Sequence, residues 1–181
     1  DDIPIKPTDL RNELLMQLKK EIQCKYVDRV LPDVGLCIEF YDFVRIKDAP
    51  IYPGDGKLAC GEPYVKVEFH LIIFRPMVGE WLVGCIQEST TNGLRISLGF
   101  FEDVVIPPAN LMVPHAFDPS SKQWVWRYNN SETKEQINFV YEKGSVIRFR
   151  VMAVNFAGPV NQSAARSKES PMIIVAAADY H

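Results

Sequence analysis

The chain has 181 residues, of which 47% are hydrophobic and 24% are charged, proportions close to those of soluble globular proteins. This composition excludes a disordered, collagen-like or coiled-coil chain, and no apolar run is long enough to suggest a membrane-spanning helix. A formal net charge of −3 also excludes a generally basic protein that coats nucleic acid. Since the first residues, DDIPIKPTDL, lack signal-peptide features, we expect a soluble intracellular protein.

The first part of the chain predicts one helix and two long strands. Apolar residues four apart follow a candidate N-cap at Thr8 and predict an amphipathic helix to about Arg29 that packs on a sheet. The stretch VGLCIEFYDFVRI predicts a long strand with a bulge near Tyr41. From Tyr64 to Phe74 alternate residues are apolar, which predicts a second strand with one buried face. Together these elements predict a small α+β unit whose sheet is covered on one face by the helix.

Between those strands, residues 49–63 (APIYPGDGKLACGEP) concentrate turn-forming residues. A phosphate-binding loop is excluded, since the segment lacks G-x-x-x-x-G-K-[ST] and precedes a strand. After a candidate hinge at Arg75-Pro76-Met77, short apolar segments alternate with turns: EWLVGCI, GLRISL, DVVI, QWVWRY, SVIRFRV and MIIVA. Five or six such strands in about 100 residues predict a small barrel or a sandwich.

The sequence shows no pattern that supports an enzyme or a metal centre. His70, His115 and His181 lack metal-ligand spacing. Four cysteines occur singly, with no C-x-x-C pair, which indicates reduced thiols. Ser97 does not lie in a G-x-S-x-G turn, so the backbone context of a nucleophile is missing. We therefore expect a non-catalytic protein without a metal or a cofactor.

The second part of the chain carries residues of the kind with which OB barrels bind single-stranded nucleic acid, by stacking bases beside a basic groove. The aromatic ones are Phe100, Phe101, Trp124, Trp126 and Tyr128, and the basic ones are Arg95, Lys122, Arg127, Arg148 and Arg150. In WVW both indoles lie on one face of a strand, so filling a core is the competing interpretation. The last two arginines share a strand face, which predicts a local basic strip.

Five segments, taken in order, are characteristic: PGDG, VEFHLIIFRPMVGEWLVGCI, GLRISLGFFEDVVIPPANLMVPHAFD, WVWRY and GSVIRFRV. Together they resemble the larger subunit of the stalk of DNA-dependent RNA polymerases, and FFEDVVIPP with WVW is most similar to the RNA polymerase III version. The resemblance implies an α+β N-terminal tip domain at residues 1–77, a helix on a small antiparallel sheet. It implies an all-β OB-fold barrel of the S1 type at residues 78–181.

The resemblance also implies a non-catalytic nuclear protein. Such a protein pairs with a smaller stalk subunit, docks on the RNA polymerase III core, supports transcription initiation and contacts exiting RNA. The docking loop of the family corresponds here to Ile51, Tyr52, Pro53, Gly54, Asp55, Gly56 and Lys57. Its proline lowers the ordering cost on binding.

For RNA contact the resemblance is less favourable. S1 barrels that bind RNA strongly tend to carry an aromatic residue and a histidine where Arg95 and Ile106 stand here, so the aromatic platform is weakened. We expect weak contact with nascent single-stranded RNA. The expected residues are Arg95, Lys122, Arg127, Arg148 and Arg150, with Trp126 or Tyr128.

Two functions remain open at this point. A stalk subunit held in place by its partners needs little intrinsic RNA affinity, because tethering raises the effective concentration of weak contacts. A free-standing single-stranded RNA-binding OB-fold protein would instead bind RNA alone, with strong salt dependence. The family usually has a further strand before DDIPI and a Gly-rich tail, so we expect both ends to be trimmed here.

Overall fold

A computed structural model of the chain describes residues 2–4, 14–46, 64–129, 136–156 and 171–179. The chain divides into two compact units, Asp1–Arg75 and Pro76–His181. No helix within the described ranges is long and apolar enough to cross a membrane.

The first unit is a four-stranded antiparallel sheet with a helix on one face. The strands are β1 (Asp2–Pro4), β2 (Val30–Leu31), β3 (Gly35–Ile46) and β4 (Tyr64–Phe74), and the helix is α1 (Leu14–Tyr26). The strand order is β1-β4-β3-β2. The core between helix and sheet is formed by the buried residues Leu18, Ile22, Phe40 and Val67. The predicted α+β fold of this part is confirmed.

Helix α1 ends earlier than predicted. It ends at Tyr26 and not near Arg29, because Asp28 adopts a left-handed backbone conformation with φ of 60°. The amide of Asp28 donates to the carbonyl of Cys37 at 2.9 Å, so the chain has already turned towards β3 at this point. The candidate N-cap, Thr8, lies outside the described residues.

Strand β3 contains three bulges at a regular spacing. Its register with β4 shifts between Cys37 and Glu39, and again after every third residue. Each bulge adds one residue to β3, so the interval between inward-facing side chains changes from two to three. The inward series is Cys37, Phe40, Phe43 and Ile46, whereas Tyr41 and Val44 are exposed. The predicted bulge near Tyr41 is confirmed, and the sequence did not reveal the other two.

The second unit is a closed five-stranded barrel with a three-stranded sheet inserted in its chain. The strands in chain order are β5 (Trp81–Thr90), β6 (Gly93–Ser97), β7 (Val104–Ile106), β8 (His115–Asp118), β9 (Gln123–Asn129), β10 (Gln136–Val140), β11 (Val146–Phe156) and β12 (Met172–Ala178). The barrel order is β11-β12-β7-β6-β5, and the inserted sheet has the order β10-β9-β8. The predicted OB-fold barrel is confirmed, and the sandwich alternative is wrong.

The inserted sheet corrects one sequence-based assignment. The segment QWVWRY was expected among the strands of the barrel or sandwich, but it forms β9, the central strand of the inserted sheet. The barrel closes without β9, because β7 pairs with β12 and β11 pairs with β5. The predicted RNA-binding residues of β9 therefore lie outside the barrel wall.

The barrel interior is filled by alternating side chains, and the start of β6 requires a glycine. Phe149 and Val151 of β11 are fully buried, as are Ile96 and Ile106 on the facing strands. Gly93 begins β6 with φ of +122°, and a Cβ atom there would lie 2.1 Å from the carbonyl oxygen of Ile106. Only glycine permits this approach of β6 to β7.

Candidate nucleic-acid interface

The residues predicted to contact RNA fall on three elements of the second unit. Arg95 lies on β6, and Arg148 and Arg150 lie on β11. The remaining four, Lys122, Trp126, Arg127 and Tyr128, lie on β9 or in the turn before it. The predicted docking loop, Ile51 to Lys57, lies outside the described residues.

Arg95 already has a carboxylate partner. Its Nη2 atom lies 2.8 Å from Oδ1 of Asp103, which immediately precedes β7. Both side chains are partly exposed, and an ion pair of this kind contributes at most about 1 kcal/mol. A phosphate group that binds Arg95 would have to compete with Asp103, which lowers the net gain from the contact.

The aromatic residues of β9 form one row that runs from buried to exposed. Trp124 and Trp126 are each 8% exposed, whereas Tyr128 at the end of the row is 40% exposed. The ring of Trp126 stacks on Phe139 of β10 with 5.2 Å between the ring centroids. The burial of both indoles agrees with the core-filling interpretation. Tyr128 is the member of the row that offers a ring to solvent.

Trp124 fastens the inserted sheet to the barrel. Its Nε1–H donates a hydrogen bond of 2.7 Å to the carbonyl oxygen of Thr90, the last residue of β5. The rings of Phe117 and His115 flank the indole, with centroids 5.2 and 5.3 Å away. The sequence analysis identified Trp124 as a core candidate, but this link to β5 is visible only in the structure.

The turn before β9 carries both signs of charge. Lys122 is exposed and adopts a left-handed conformation with φ of 54°. In the same turn Asp118 has a lowered pKa, because the hydroxyl of Ser121 donates to its carboxylate at 2.7 Å and the amide of Ser120 donates at 2.9 Å. This ionised carboxylate reduces the attraction of the turn for a phosphate.

Arg127 and Tyr128 lie at the other end of β9. Because neighbouring side chains of a strand point to opposite faces, Arg127 lies on the face away from the aromatic row. It is exposed, and its amide donates to the carbonyl of Pro114 at 2.8 Å. At this end of the sheet Tyr128 presents a ring on which a base can stack, and Arg127 presents a guanidinium on the opposite face.

The two arginines of β11 lie against an indole that the sequence analysis missed. The guanidinium carbon of Arg148 is 4.6 Å from the centre of the Trp81 ring, and that of Arg150 is 6.0 Å away. Trp81 is the first residue of β5 and pairs with Arg150 across the ladder. The sequence could have indicated an outward-facing Trp81 through the alternation in EWLVGCI, which places Trp81 on the opposite face from Leu82 and the buried Ile86.

Taken together, the predicted residues do not form one continuous basic groove in the described part of the chain. Carboxylates accompany Arg95 and Lys122, and an indole covers Arg148. Strong binding to single strands relies on a basic groove with exposed aromatic rings. The geometry of the described residues therefore lacks the features of a strong single-strand binding groove, and RNA contact by these residues stays a prediction.

Two family models match the chain. The one described as "RNA polymerase III subunit Rpc25" matches residues 80–179. The one described as "SHS2 domain found in N terminus of Rpb7p/Rpc25p/MJ0397" matches residues 1–56. The two matches fall in the second and the first compact unit.

Individual RNA polymerase subunits are also similar in sequence to the chain. The DNA-directed RNA polymerase III subunit RPC8 of Bos taurus is 35% identical over 93% of this chain and 82% of its own length. The corresponding protein of Schizosaccharomyces pombe is 34% identical over 96% of this chain and 81% of its own length. The DNA-directed RNA polymerase subunit Rpo7 of Saccharolobus solfataricus is 24% identical over 84% of this chain and 77% of its own length.

Proposed function

Because the chain belongs to the Rpc25 (RPC8) family of RNA polymerase III subunits, we propose that it acts as a non-catalytic stalk subunit of nuclear RNA polymerase III. In this role it pairs with a smaller stalk subunit, docks on the core enzyme and supports transcription initiation. The observation that carries the proposal is the 35% identity to bovine RPC8, which extends over 93% of the chain. A likeness confined to the barrel would have supported only a generic OB-fold protein.

Docking on the core is assigned in this proposal to the loop from Ile51 to Lys57. The support is the composition of PGDG, in which a proline limits the freedom of the unbound chain and so reduces the entropy lost on binding. The tip domain then carries the assembly contact, and the barrel is held near the transcript.

RNA contact is a secondary part of the proposal, and it centres on Tyr128 with Arg127 and Lys122. A base stacked on one exposed aromatic ring contributes roughly 1–3 kcal/mol, whereas micromolar binding requires about 8 kcal/mol. The isolated chain is therefore expected to bind RNA weakly. In the assembled enzyme the exiting transcript is already close by, so a weak contact becomes occupied.

The test of assembly is affinity purification of the tagged full chain from nuclear extract at moderate salt, followed by mass spectrometry. We expect a smaller stalk subunit and RNA polymerase III core subunits. Replacing residues 51–57 with a Gly-Ser segment should release the core and retain the smaller subunit. The Lys143→Glu variant, altered at an exposed turn residue before β11, is the matched control and should behave as the unmodified chain.

Two results would contradict the proposal. Recovery of RNA and ribosomal proteins without any polymerase subunit would favour the free-standing RNA-binding protein. Tight, strongly salt-dependent binding of a short RNA by the isolated chain would do so as well. For the RNA contact itself, Tyr128→Ala should reduce ultraviolet cross-linking of the transcript to this chain in transcribing polymerase, while assembly is unchanged.

A further inference from the structure

The outer wall of the barrel at β5 and β11 combines exposed apolar side chains with two arginines. The ladder pairs Trp81 with Arg150, Val83 with Arg148 and Cys85 with Val146, and all six side chains point away from the barrel interior. These residues are termed the Trp81 face. They occupy three successive outward positions on two neighbouring strands, so they form one continuous surface.

The apolar part of this face is open to solvent. Val83 is 60% exposed, Val146 is 67% exposed, and Cys85 is also exposed. Single exposed apolar residues are ordinary on protein surfaces. Three that adjoin one another beside a partly exposed tryptophan are the kind of patch that marks an interaction site.

The two arginines of the face are oriented by Trp81, and their guanidinium groups are available to bind an anionic ligand. The stacking of Arg148 and Arg150 on Trp81 orients both guanidinium groups. Within the described residues neither guanidinium takes part in an ion pair. A planar guanidinium matches the two oxygens of a carboxylate, so an acidic side chain is a fitting ligand.

The side-chain types of the face favour a protein over RNA as the occupant. Arg148 covers the Trp81 ring, and the other apolar members of the face are aliphatic or a thiol, so a base has no free ring on which to stack. Protein interfaces, by contrast, are enriched in tryptophan and arginine around an apolar centre.

We propose that the Trp81 face is the contact surface for a protein partner that lays apolar side chains on Val83 and Val146 and directs carboxylates at Arg148 and Arg150. The inference rests on the proposed function in that it takes the partner to be a subunit of the polymerase assembly. It assigns the two arginines to protein recognition, in place of the RNA contact predicted from the sequence.

The test places a photo-cross-linking amino acid, p-benzoylphenylalanine, at Val83 of the tagged full chain in assembled polymerase. We expect a cross-link to a polymerase subunit, in a segment that contains Asp or Glu. The same amino acid at Val113, a valine that is 79% exposed and lies outside the face, is the matched control and should not give this product.

Charge reversal tests the role of the arginines. Arg148→Glu combined with Arg150→Glu should reduce the yield of the cross-link at least tenfold, whereas Lys143→Glu should leave it unchanged. Lysine substitutions at the carboxylates of the cross-linked segment should restore the yield in the doubly reversed chain. This rescue separates recognition from a general loss of folding, which circular dichroism of each variant also monitors.

The possible failures of the two proposals are distinguishable. Cross-linking of position 83 to RNA, or equal yields of the same product at positions 83 and 113, would overturn the inference while the polymerase still co-purifies. Absence of every polymerase subunit from the purified material would overturn the proposed function. Since the inference takes the partner to be a polymerase subunit, that result would also overturn this choice of partner.

Discussion

Replacement of Trp124 is the most direct test of how the inserted sheet is attached to the barrel. Trp124→Phe removes the hydrogen bond to Thr90 and keeps an aromatic ring beside Phe117 and His115. The loss of one such bond costs about 1 kcal/mol. Trp124→Ala also removes the buried ring, and a truncation of this kind costs roughly 3–5 kcal/mol.

Hydrogen exchange of the full chain, read by mass spectrometry, resolves where this free energy is lost. Amides of β8 and β9 should exchange about fivefold faster in Trp124→Phe and more than about a hundredfold faster in Trp124→Ala. Amides of β6 and β7 should keep their protection, because the barrel closes without β9. Trp81→Phe, a matched change on the barrel wall, should leave β8 and β9 unaffected.

Equal loss of protection in β6, β7 and β9 would refute this reasoning, since it would mean that barrel and inserted sheet open as one cooperative unit. Unchanged exchange in β9 after Trp124→Ala would refute it in the opposite sense, because the indole would then not fasten the sheet.

Three further predictions concern single residues. Gly93→Ala should lower the free energy of unfolding, measured in urea, by more than about 3 kcal/mol, because the alanine would strain both the backbone and the contact with β7. In the control Gly99→Ala no atom lies within 4 Å of the added Cβ, so the loss should be only about 1–2 kcal/mol. Burial raises the pKa of the Cys37 thiol, so peptide mapping after iodoacetamide treatment should show much slower alkylation of Cys37 than of the exposed Cys24 until the protein unfolds. The pKa of Glu39 is lowered, chiefly by a hydrogen bond from Gln23. The contribution of this carboxylate to stability is therefore present above the unfolded pKa of about 4.3 and is lost as pH falls through the folded pKa. Glu39→Gln should reduce the loss of stability at acid pH, measured by urea unfolding at a series of pH values.

Each of these three predictions would be contradicted by a specific result. Equal losses in the two glycine variants would show that the approach of β6 to β7 relaxes without cost. Alkylation of Cys37 at the rate of Cys24 in the native protein would show that the first unit opens readily. An unaltered acid profile in the glutamine variant would place the acid sensitivity in other carboxyl groups.

The alternation of apolar residues predicted β4 with its observed bounds, because the strand keeps a period of two and buries one face. The same rule could not predict which residues of β3 face the helix. Three bulges change the period to three there, and they arise from pairing with β4, which the local sequence of β3 does not contain. Tyr41 and Val44 are exposed for that reason, although their types favour burial.

For the candidate interface, the residue types were readable but their grouping was not. Alternation in WVWRY identified a strand and put both indoles on one face, yet a barrel strand and a strand of the inserted sheet share the same period. Only pairing with β8 and β10 decides between them. Likewise Arg148 and Arg150 were recognised as one strip, but the indole beneath them comes from β5, far away in the sequence.

The parallel pairing of β12 with β7 has a consequence for the nascent protein. Ile174 pairs with Val104 across this ladder, and β12 also pairs with β11. On a translating ribosome, the edges of β7 and β11 that pair with β12 therefore remain unpaired until β12 has been synthesised and has left the exit tunnel. Such edges readily pair with other chains. The period before the last strand arrives is when this subunit most needs protection by chaperones, and truncation before β12 should direct it to degradation rather than assembly.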